Sequence, residues 1–312
     1  MENPFKYSLN NRRFHTFDYH LKSKFGKKVA KIALDGGFTC PNIDGTKGFG
    51  GCTYCSGKGS GDFAGDRNID ILSQFETVKE RMSLKWDNSL CIAYFQAYTN
   101  TYAPVEKLKF LFEPLLKIQG IVGLYIATRA DALPDDVVEY LKDLNKRTYL
   151  VVELGLQTIH DETGDKINRC HSFSDFLEGY NKLKNAGLNI GIHIINGLPN
   201  ETKEMMLETV REVAKLKPHN IKIHLLHILK NTKIASEFAN GDFDVLTLDD
   251  YVDIVCDQLE FLPEDIIVQR LTGDGFKDEL IAPLWSLKKF VVMNEIDKEM
   301  NRRNSYQGIK SV

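Results

Sequence analysis

The chain has 312 residues, 43% hydrophobic and 27% charged, with a formal net charge of −3. That length allows one large or two smaller domains with a sizeable core, and the charge excludes a surface that is a nucleic-acid-binding field throughout, leaving only local basic patches. No run of about 18 apolar residues occurs, so no membrane span is expected, and the N-terminal Met-Glu-Asn-Pro-Phe-Lys lacks the apolar core of a secretion signal.

Taken in chain order, short β-branched runs alternate with longer amphipathic stretches. Val29 to Leu34 predicts a strand that runs straight into a glycine-rich loop. Helical spacing covers Ile71 to Trp86, and a strand follows from Leu90 to Gln96. A helix over Val105 to Ile118 is opened by Pro104 near its first turn. Val122 to Thr128 reads as a strand, and Pro134 to Leu144 as a helix with acidic Asp135 and Asp136 at its start. Tyr149 to Leu156 is a strand. Phe173 to Asn185 is a helix, with Ser172 as its cap and Gly187 just past its end. A strand over Leu188 to Ile195, a helix over Lys203 to Leu216 and a sixth strand over Ile221 to Leu229 complete the pattern.

Six β-then-α units imply parallel strands joined by crossover helices. An α/β fold follows, a partial (β/α)6 TIM-like barrel with a C-terminal α+β extension; an open Rossmann-like sheet is the alternative. Both place functional residues at strand C-terminal ends. The expected division is an N-terminal extension over 1–27, a core over 28–235 and a substrate-facing extension over 236–312. That extension is expected to hold a helix over Leu248 to Leu262, a strand over Ile266 to Leu271 and a helix over Pro283 to Met300.

The strongest chemical signal is Cys40, Cys52 and Cys55, spaced C-x11-C-x2-C within one glycine-rich segment. A closed zinc site needs four protein ligands, and so does a structural [4Fe–4S] cluster. Three thiolates leave one metal position open, where a small molecule can coordinate. A zinc site completed by a distant His193 or His224 is the alternative reading. Cys91 and Cys256 lie in apolar runs and read as buried core thiols. Thiolate ligands require a reducing compartment, so the cytoplasm is expected. Glu153 is costly inside an apolar strand unless paired or liganded; Arg129 is a candidate partner. His224 and His227, three apart, face opposite sides of an unbent strand. Lys288, Lys289, Arg302 and Arg303, with Trp285 and Tyr306, read either as a platform for RNA or as a solvated helix face.

Together these motifs resemble the radical S-adenosylmethionine (SAM) superfamily. The stretches that carry the resemblance are Gly36 to Cys55, Gly59 to Gly65, Tyr94 to Pro104, Glu153 to Gln157, Asn168 to His171, Gly197 to Pro199 and Arg270 to Trp285. Within the superfamily the chain resembles the bacterial YtqA/YhcC-like subfamily, related to the radical SAM core of the Elongator catalytic subunit. The resemblance implies that Cys40, Cys52 and Cys55 hold a [4Fe–4S] cluster whose fourth iron binds SAM. An electron from flavodoxin or ferredoxin then cleaves SAM to a 5′-deoxyadenosyl radical. It also implies that Tyr54 lies near the adenine, that Gln96 and Tyr98 line the rim with Thr99 and Asn100, and that Glu153 and Gln157 contact the ribose or amino end. Arg169 would meet the SAM carboxylate, and Ile195 and Gly197 would form the adenine-binding edge. The family usually has Gly where Cys170 stands, so the role of Cys170 is open, as are those of His193, His224 and His227. The implied substrate is tRNA wobble uridine, whose C5 carboxymethylaminomethyl group would be remodelled toward aminomethyl. The alternatives are a radical SAM enzyme acting on a small metabolite or protein, and a zinc-binding RNA-binding module.

Overall fold

The computed structural model describes residues 3–311 apart from 9, 60, 62, 88, 274 and 276. Ser60 and Asp62 of the second glycine-rich stretch, and Asp274 of the stretch after Arg270, therefore lie outside the described residues. The chain opens with α1 (Phe17–Phe25), whose N-cap Thr16 accepts a hydrogen bond from the Tyr19 amide and which ends at left-handed Gly26. Alternating units follow: β1 (Val29–Leu34), α2 (Ile71–Ser83), β2 (Leu90–Phe95), α3 (Val105–Phe112), β3 (Ile121–Thr128), α4 (Asp135–Arg147), β4 (Tyr149–Gln157), α5 (Asp161–Lys166), α6 (Phe173–Asn185), β5 (Asn189–Asn196), α7 (Lys203–Leu216) and β6 (Asn220–Leu225). The remainder is β7 (Ile228–Leu229), α8 (Lys233–Ala239), α9 (Leu248–Phe261), β8 (Ile267–Arg270), β9 (Leu280–Ala282) and α10 (Lys289–Arg302).

One parallel sheet carries the fold, in the order β1-β2-β3-β4-β5-β6-β8, and it curls into a half-barrel. The partial barrel expected from the sequence is present, with a seventh strand supplied by the C-terminal stretch. β8 pairs with β6, setting Ile221 against Val268 and Lys222 against Arg270. Three elements differ from expectation. The helix after Pro104 stops at Phe112 and becomes a 3-10 turn over Glu113–Lys117, because Pro114 has no N–H and its ring crowds the preceding turn. The sixth strand ends at Leu225, and Ile228–Leu229 leaves the sheet to pair with β9. The last helix is preceded by a separate 3-10 turn over Leu284–Leu287.

The two faces of the sheet do different work. Outward residues such as Ile32, Phe95, Ile126, Val152, Ile192 and Ile223 pack under the helices in the main core, as strands covered on that face by helices require. Inward residues Ile92, Tyr94, Tyr125 and Val151 meet Leu21 and Phe17 of α1, which plugs the N-terminal end of the lumen. The Tyr149 hydroxyl lies there 2.6 Å from His219 Nε2 and 3.2 Å from His20 Nε2. The free edge of β8 is covered by the chain before α1: the Val268 amide donates to the His15 carbonyl at 2.8 Å.

Gly179 of α6 shows how closely the outer layer seats. A Cβ there would overlap the Ala130 carbonyl oxygen and lie 2.7 Å from its carbon. Alanine ordinarily stabilises a helix interior by about 1 kcal/mol over glycine. Here the obstacle is backbone that immediately follows Arg129 at the rim, and overpacking outweighs that preference. Gly179→Ala is expected to destabilise the protein by about 2 kcal/mol, read as a lower urea midpoint with unchanged slope.

Candidate functional site

The C-terminal ends of the strands form a rim, and the loop after β1 crosses it carrying the cysteines. Cys40, Cys52 and Cys55 are in no disulfide, and each is partly exposed. Local turns set them: the Ile43 amide donates to the Cys40 carbonyl at 2.8 Å, and the Cys55 amide to the Cys52 carbonyl at 3.0 Å. Gly50 and Gly51 adopt φ of +80° and +76°, a conformation open to glycine without strain. The Cys52 thiol is pulled down to about 6, first by the hydrogen bond with Cys55, with burial opposing and Arg129 helping. It is thus poised to be the thiolate that metal ligation requires.

A second loop, after α5, locks the first in place. The Asn168 side-chain amide donates to the Gly51 carbonyl at 2.7 Å and the Phe49 carbonyl at 3.0 Å. Asn42 returns a hydrogen bond to the Asn168 carbonyl and places its amide 3.5 Å from Cys52 Sγ. The Thr53 amide donates to the Ile167 carbonyl at 2.9 Å. Asn168 and Cys170 hold left-handed φ of +54° and +58°, strained for non-glycine residues. Cys170 lies beside the cysteine loop: a Cβ on Gly48 would fall 2.6 Å from its sulfur. Burial pushes its thiol up rather than down.

Two arginines hold this arrangement. Arg129, at the end of β3, pairs with Asp131 through two hydrogen bonds of 2.9 Å and donates to the Arg169 carbonyl at 2.8 Å. It is not the partner of Glu153. Arg169 is 1% exposed. Four of its five N–H donors serve the protein: Leu156 and Thr158 carbonyls at 2.8 and 2.6 Å, the His171 carbonyl at 2.9 Å and Asp161 at 3.0 Å. One N–H is left for the SAM carboxylate that Arg169 is expected to meet. Its guanidinium ties the end of β4 to the loop after α5.

The other expected site residues are distributed around the rim. Tyr54 is partly buried among Ile167, Leu198, Leu226 and Ile195. Burial and the two neighbouring cysteines push its hydroxyl well above the ordinary tyrosine range. Ile195 is partly exposed near the end of β5, and Gly197 follows at φ +82°. Gln96 follows β2 and donates its amide to the Leu34 carbonyl at 3.3 Å. Tyr98, at φ +59°, donates its hydroxyl to the Gly57 carbonyl at 2.6 Å. Gln157 ends β4 at φ +63°. Thr99 and Asn100 are buried behind the rim instead of lining it: the Asn100 side chain donates to the Ala127 carbonyl at 2.8 Å and binds β2 to β3.

Glu153 lies deeper, fully buried on the inward face of β4. Its carboxylate accepts from Lys222 Nζ at 2.5 Å and Gln269 Nε2 at 2.6 Å, with His193 Nε2 at 3.0 Å and Lys31 Nζ at 3.7 Å. Burial pushes it up, but Lys222, Lys31 and His193 together hold it well below the ordinary carboxylate range. The carboxylate is engaged by four side chains inside the lumen. Lys31, Lys222, Gln269 and Asn220 were not singled out from the sequence. The available signal was parity, because Lys31 and Lys222 interrupt apolar strands at inward positions, as Glu153 does. His224 faces inward beside His193, ring centres 5.4 Å apart. His227 follows the strand end, where a Cβ on Gly273 would fall 3.0 Å from its ring.

Among the C-terminal basic residues, Arg302 and Arg303 are ion-paired. Arg303 is engaged by Asp257 at 2.7 Å, Glu299 at 2.7 Å and Asp253, all on α9 or α10. Arg302 pairs with Glu299 at 2.6 Å. Trp285 donates to the Leu246 carbonyl at 3.1 Å and packs against Tyr251. The acidic face of α9 takes up charge that the sequence alone presents as free.

Among the described residues, no three His, Cys, Asp or Glu side chains converge as ligands of a single metal ion. Cysteines that each ligate a different iron of a cluster need no such convergence, and a three-cysteine donor set with one open position fits a [4Fe–4S] cluster that binds a small molecule. Residues 46–213 match the family described as Radical SAM superfamily, and residues 218–302 match Radical_SAM C-terminal domain. Cys52 and Cys55 lie inside the first span, and Cys40 precedes it. The chain is similar to the YtqA protein of Bacillus subtilis, 55% identical over 98% of this chain and 95% of that protein. It is more distantly similar to the tRNA uridine(34) acetyltransferase of Methanocaldococcus jannaschii, 25% identical over 49% of this chain and 28% of that protein. Its fold matches the archaeal Methanocaldococcus infernus Elp3 at a TM-score of 0.70 and 17% identity, covering 89% of this chain and 64% of that one.

Because Arg169 satisfies buried carbonyls, its loss leaves them unpaired. Arg169→Ala is expected to lower folding stability by about 3 kcal/mol or more, measured by urea denaturation of the metal-free protein. Unchanged stability would remove its role in holding the loop.

Proposed function

The chain belongs to the radical SAM superfamily, whose members use a [4Fe–4S] cluster and SAM, and from that premise we propose that it modifies the C5 side chain of tRNA wobble uridine, taking carboxymethylaminomethyl toward aminomethyl. The observation that carries the substrate is the similarity to a tRNA uridine(34) acetyltransferase across half the chain, joined to a cysteine loop clamped onto the rim by Asn42 and Asn168. When bound, the cluster and SAM supply a 5′-deoxyadenosyl radical that abstracts a hydrogen from the substrate, with flavodoxin or ferredoxin as electron donor.

The chain's own part is to bind, orient and exclude water. Cys40, Cys52 and Cys55 would each hold one iron of the cluster. Tyr54, with its apolar neighbours Ile167, Leu198 and Leu226, keeps water from the adenine side of the mouth. Ile195 and Gly197 offer the strand edge that reads adenine. Gln96, Tyr98 and Gln157 face the remaining rim, and Tyr98 also fixes the second glycine-rich stretch through the Gly57 carbonyl. The cytoplasm suits these thiolates; among the described residues no helix is long and apolar enough to cross a membrane. Residues 28–235 would form the catalytic core and 236–312 the part nearest substrate, with β8 shared between them.

Two measurements test this reading. Cys40→Ala, Cys52→Ala and Cys55→Ala, purified without oxygen, are each expected to lose most of the bound iron and all SAM cleavage. Cys91→Ala and Cys256→Ala should retain both. Loss of iron in Cys91→Ala but not in Cys40→Ala would refute the ligand assignment. Nucleoside mass analysis of tRNA from cells lacking the gene should show accumulated carboxymethylaminomethyluridine and depleted aminomethyluridine derivatives. An unchanged nucleoside profile would point instead to a small metabolite or protein substrate.

A further inference from the structure

Among the described residues, two lysines of the lumen share one carboxylate. Lys31 of β1 and Lys222 of β6 both reach Glu153. No second acidic side chain appears among the described partners of that network. His193 is pushed down to about 4, by burial first and then by Lys222, and His224 is lowered further still, so neither adds charge near neutrality. Two lysines share one glutamate, and Arg270 repels both. Burial pulls Lys31 well below the ordinary lysine range; Glu153 opposes this, while Lys222 and Arg270 add to it. The network is also short of acceptors. The buried Asn220 side-chain nitrogen has no hydrogen-bond partner, although the oxygen of the same amide accepts from Gln269 at 3.0 Å. Lys31 and His193 keep side-chain exposures of 21% and 19%, so the cluster is reachable from the open lumen.

We propose that Lys31 and Lys222, with Asn220 beside them, form a subsite for a carboxylate at the end of a narrow arm of the substrate. This rests on the function proposed above and adds how its substrate is recognised. Two ammonium groups that share one carboxylate suit a second, singly charged one. Depth selects its source: Lys31 and Lys222 sit three residues below the ends of their strands, about 10 Å from the rim at roughly 3.3 Å per residue. A phosphodiester within a polynucleotide backbone cannot descend that far into the lumen. A base turned into the mouth of the lumen, with a flexible side chain ending in a carboxylate, can. The ammonium groups then act as charge-assisted donors in a water-poor site, where such contacts are strong. Glu153 holds both lysines in place and competes for them, which keeps the vacant site from carrying two unbalanced charges.

The test uses cluster-loaded protein and two anticodon stem-loop RNAs, one carrying 5-carboxymethylaminomethyluridine at the wobble position and the other its methyl ester. By fluorescence anisotropy, the wild type should bind the acid roughly tenfold tighter than the ester. Lys31→Met should bring the ratio near one with ester affinity unchanged, Lys31→Arg should restore it, and Glu153→Gln should raise it. SAM affinity should be the same in Lys31→Met, since the subsite lies below the rim; a loss would assign the lysine to the SAM carboxylate and overturn the proposal. Tight but equal binding of both RNAs by the wild type, a measurement that needs no variant, would overturn the subsite and leave the RNA reading standing. If neither RNA binds but N-methylglycine raises the thermal midpoint of the wild type and not of Lys31→Met, the subsite stands and the RNA reading falls. Absence of both effects overturns both.

Discussion

A carboxylate removed from water governs this half-barrel. Glu153 lies on the middle strand of seven and is bonded by side chains from the first, fifth, sixth and last strands: Lys31, His193, Lys222 and Gln269. Burying an ion costs several kcal/mol, which only close, multiple partners offset. The open gap between β1 and β8 is thereby spanned, since Lys31 also donates to Gln269 at 2.7 Å. Gly191 makes room for the arrangement; a Cβ there would fall 2.5 Å from Asn220 Oδ1 and 3.1 Å from Glu153 Cγ. The curl of the sheet and the polarity of its lumen are therefore one feature.

Above this hub the rim is organised by backbone carbonyls and long polar side chains. Arg129 and Arg169 work in series: one fixes the loop that the other braces against the end of β4. Four non-glycine residues there, Tyr98, Gln157, Asn168 and Cys170, hold left-handed backbone. Such strain persists where surrounding contacts overdetermine the chain, and it gathers at functional sites. The result is a seat that braces the cysteine loop from several sides.

The C-terminal stretch shows how charge in a sequence can mislead. Arg302 and Arg303 read as a basic patch in the sequence. Glu299, one turn earlier, pairs with both, and Asp253 and Asp257, almost fifty residues earlier, engage Arg303 once α9 and α10 pack together. Lys203 of α7 joins the same acidic face. The stretch supplies a strand to the barrel and an ion-paired buttress behind it.

From the sequence alone came the βα alternation, most element boundaries, the half-barrel and the cysteine loop with its open metal position. These are local signals: hydrophobic period, glycine placement and a spacing of thiolates within one segment. Helix α1, with its weak amphipathic pattern, escaped notice, as did the short α5 and α8. Tertiary structure alone decided what the isolated polar residues do. Glu153, Lys31 and Lys222 are separated by some seventy to nearly two hundred residues, so their mutual contact depends on strand order and inward register. Arg169 looks like a ligand-binding arginine in sequence, and only the fold shows that it also braces its loop, through three carbonyls and Asp161. A charge takes its role from the partners within a few ångströms, and those partners come from the fold, not from chain neighbours.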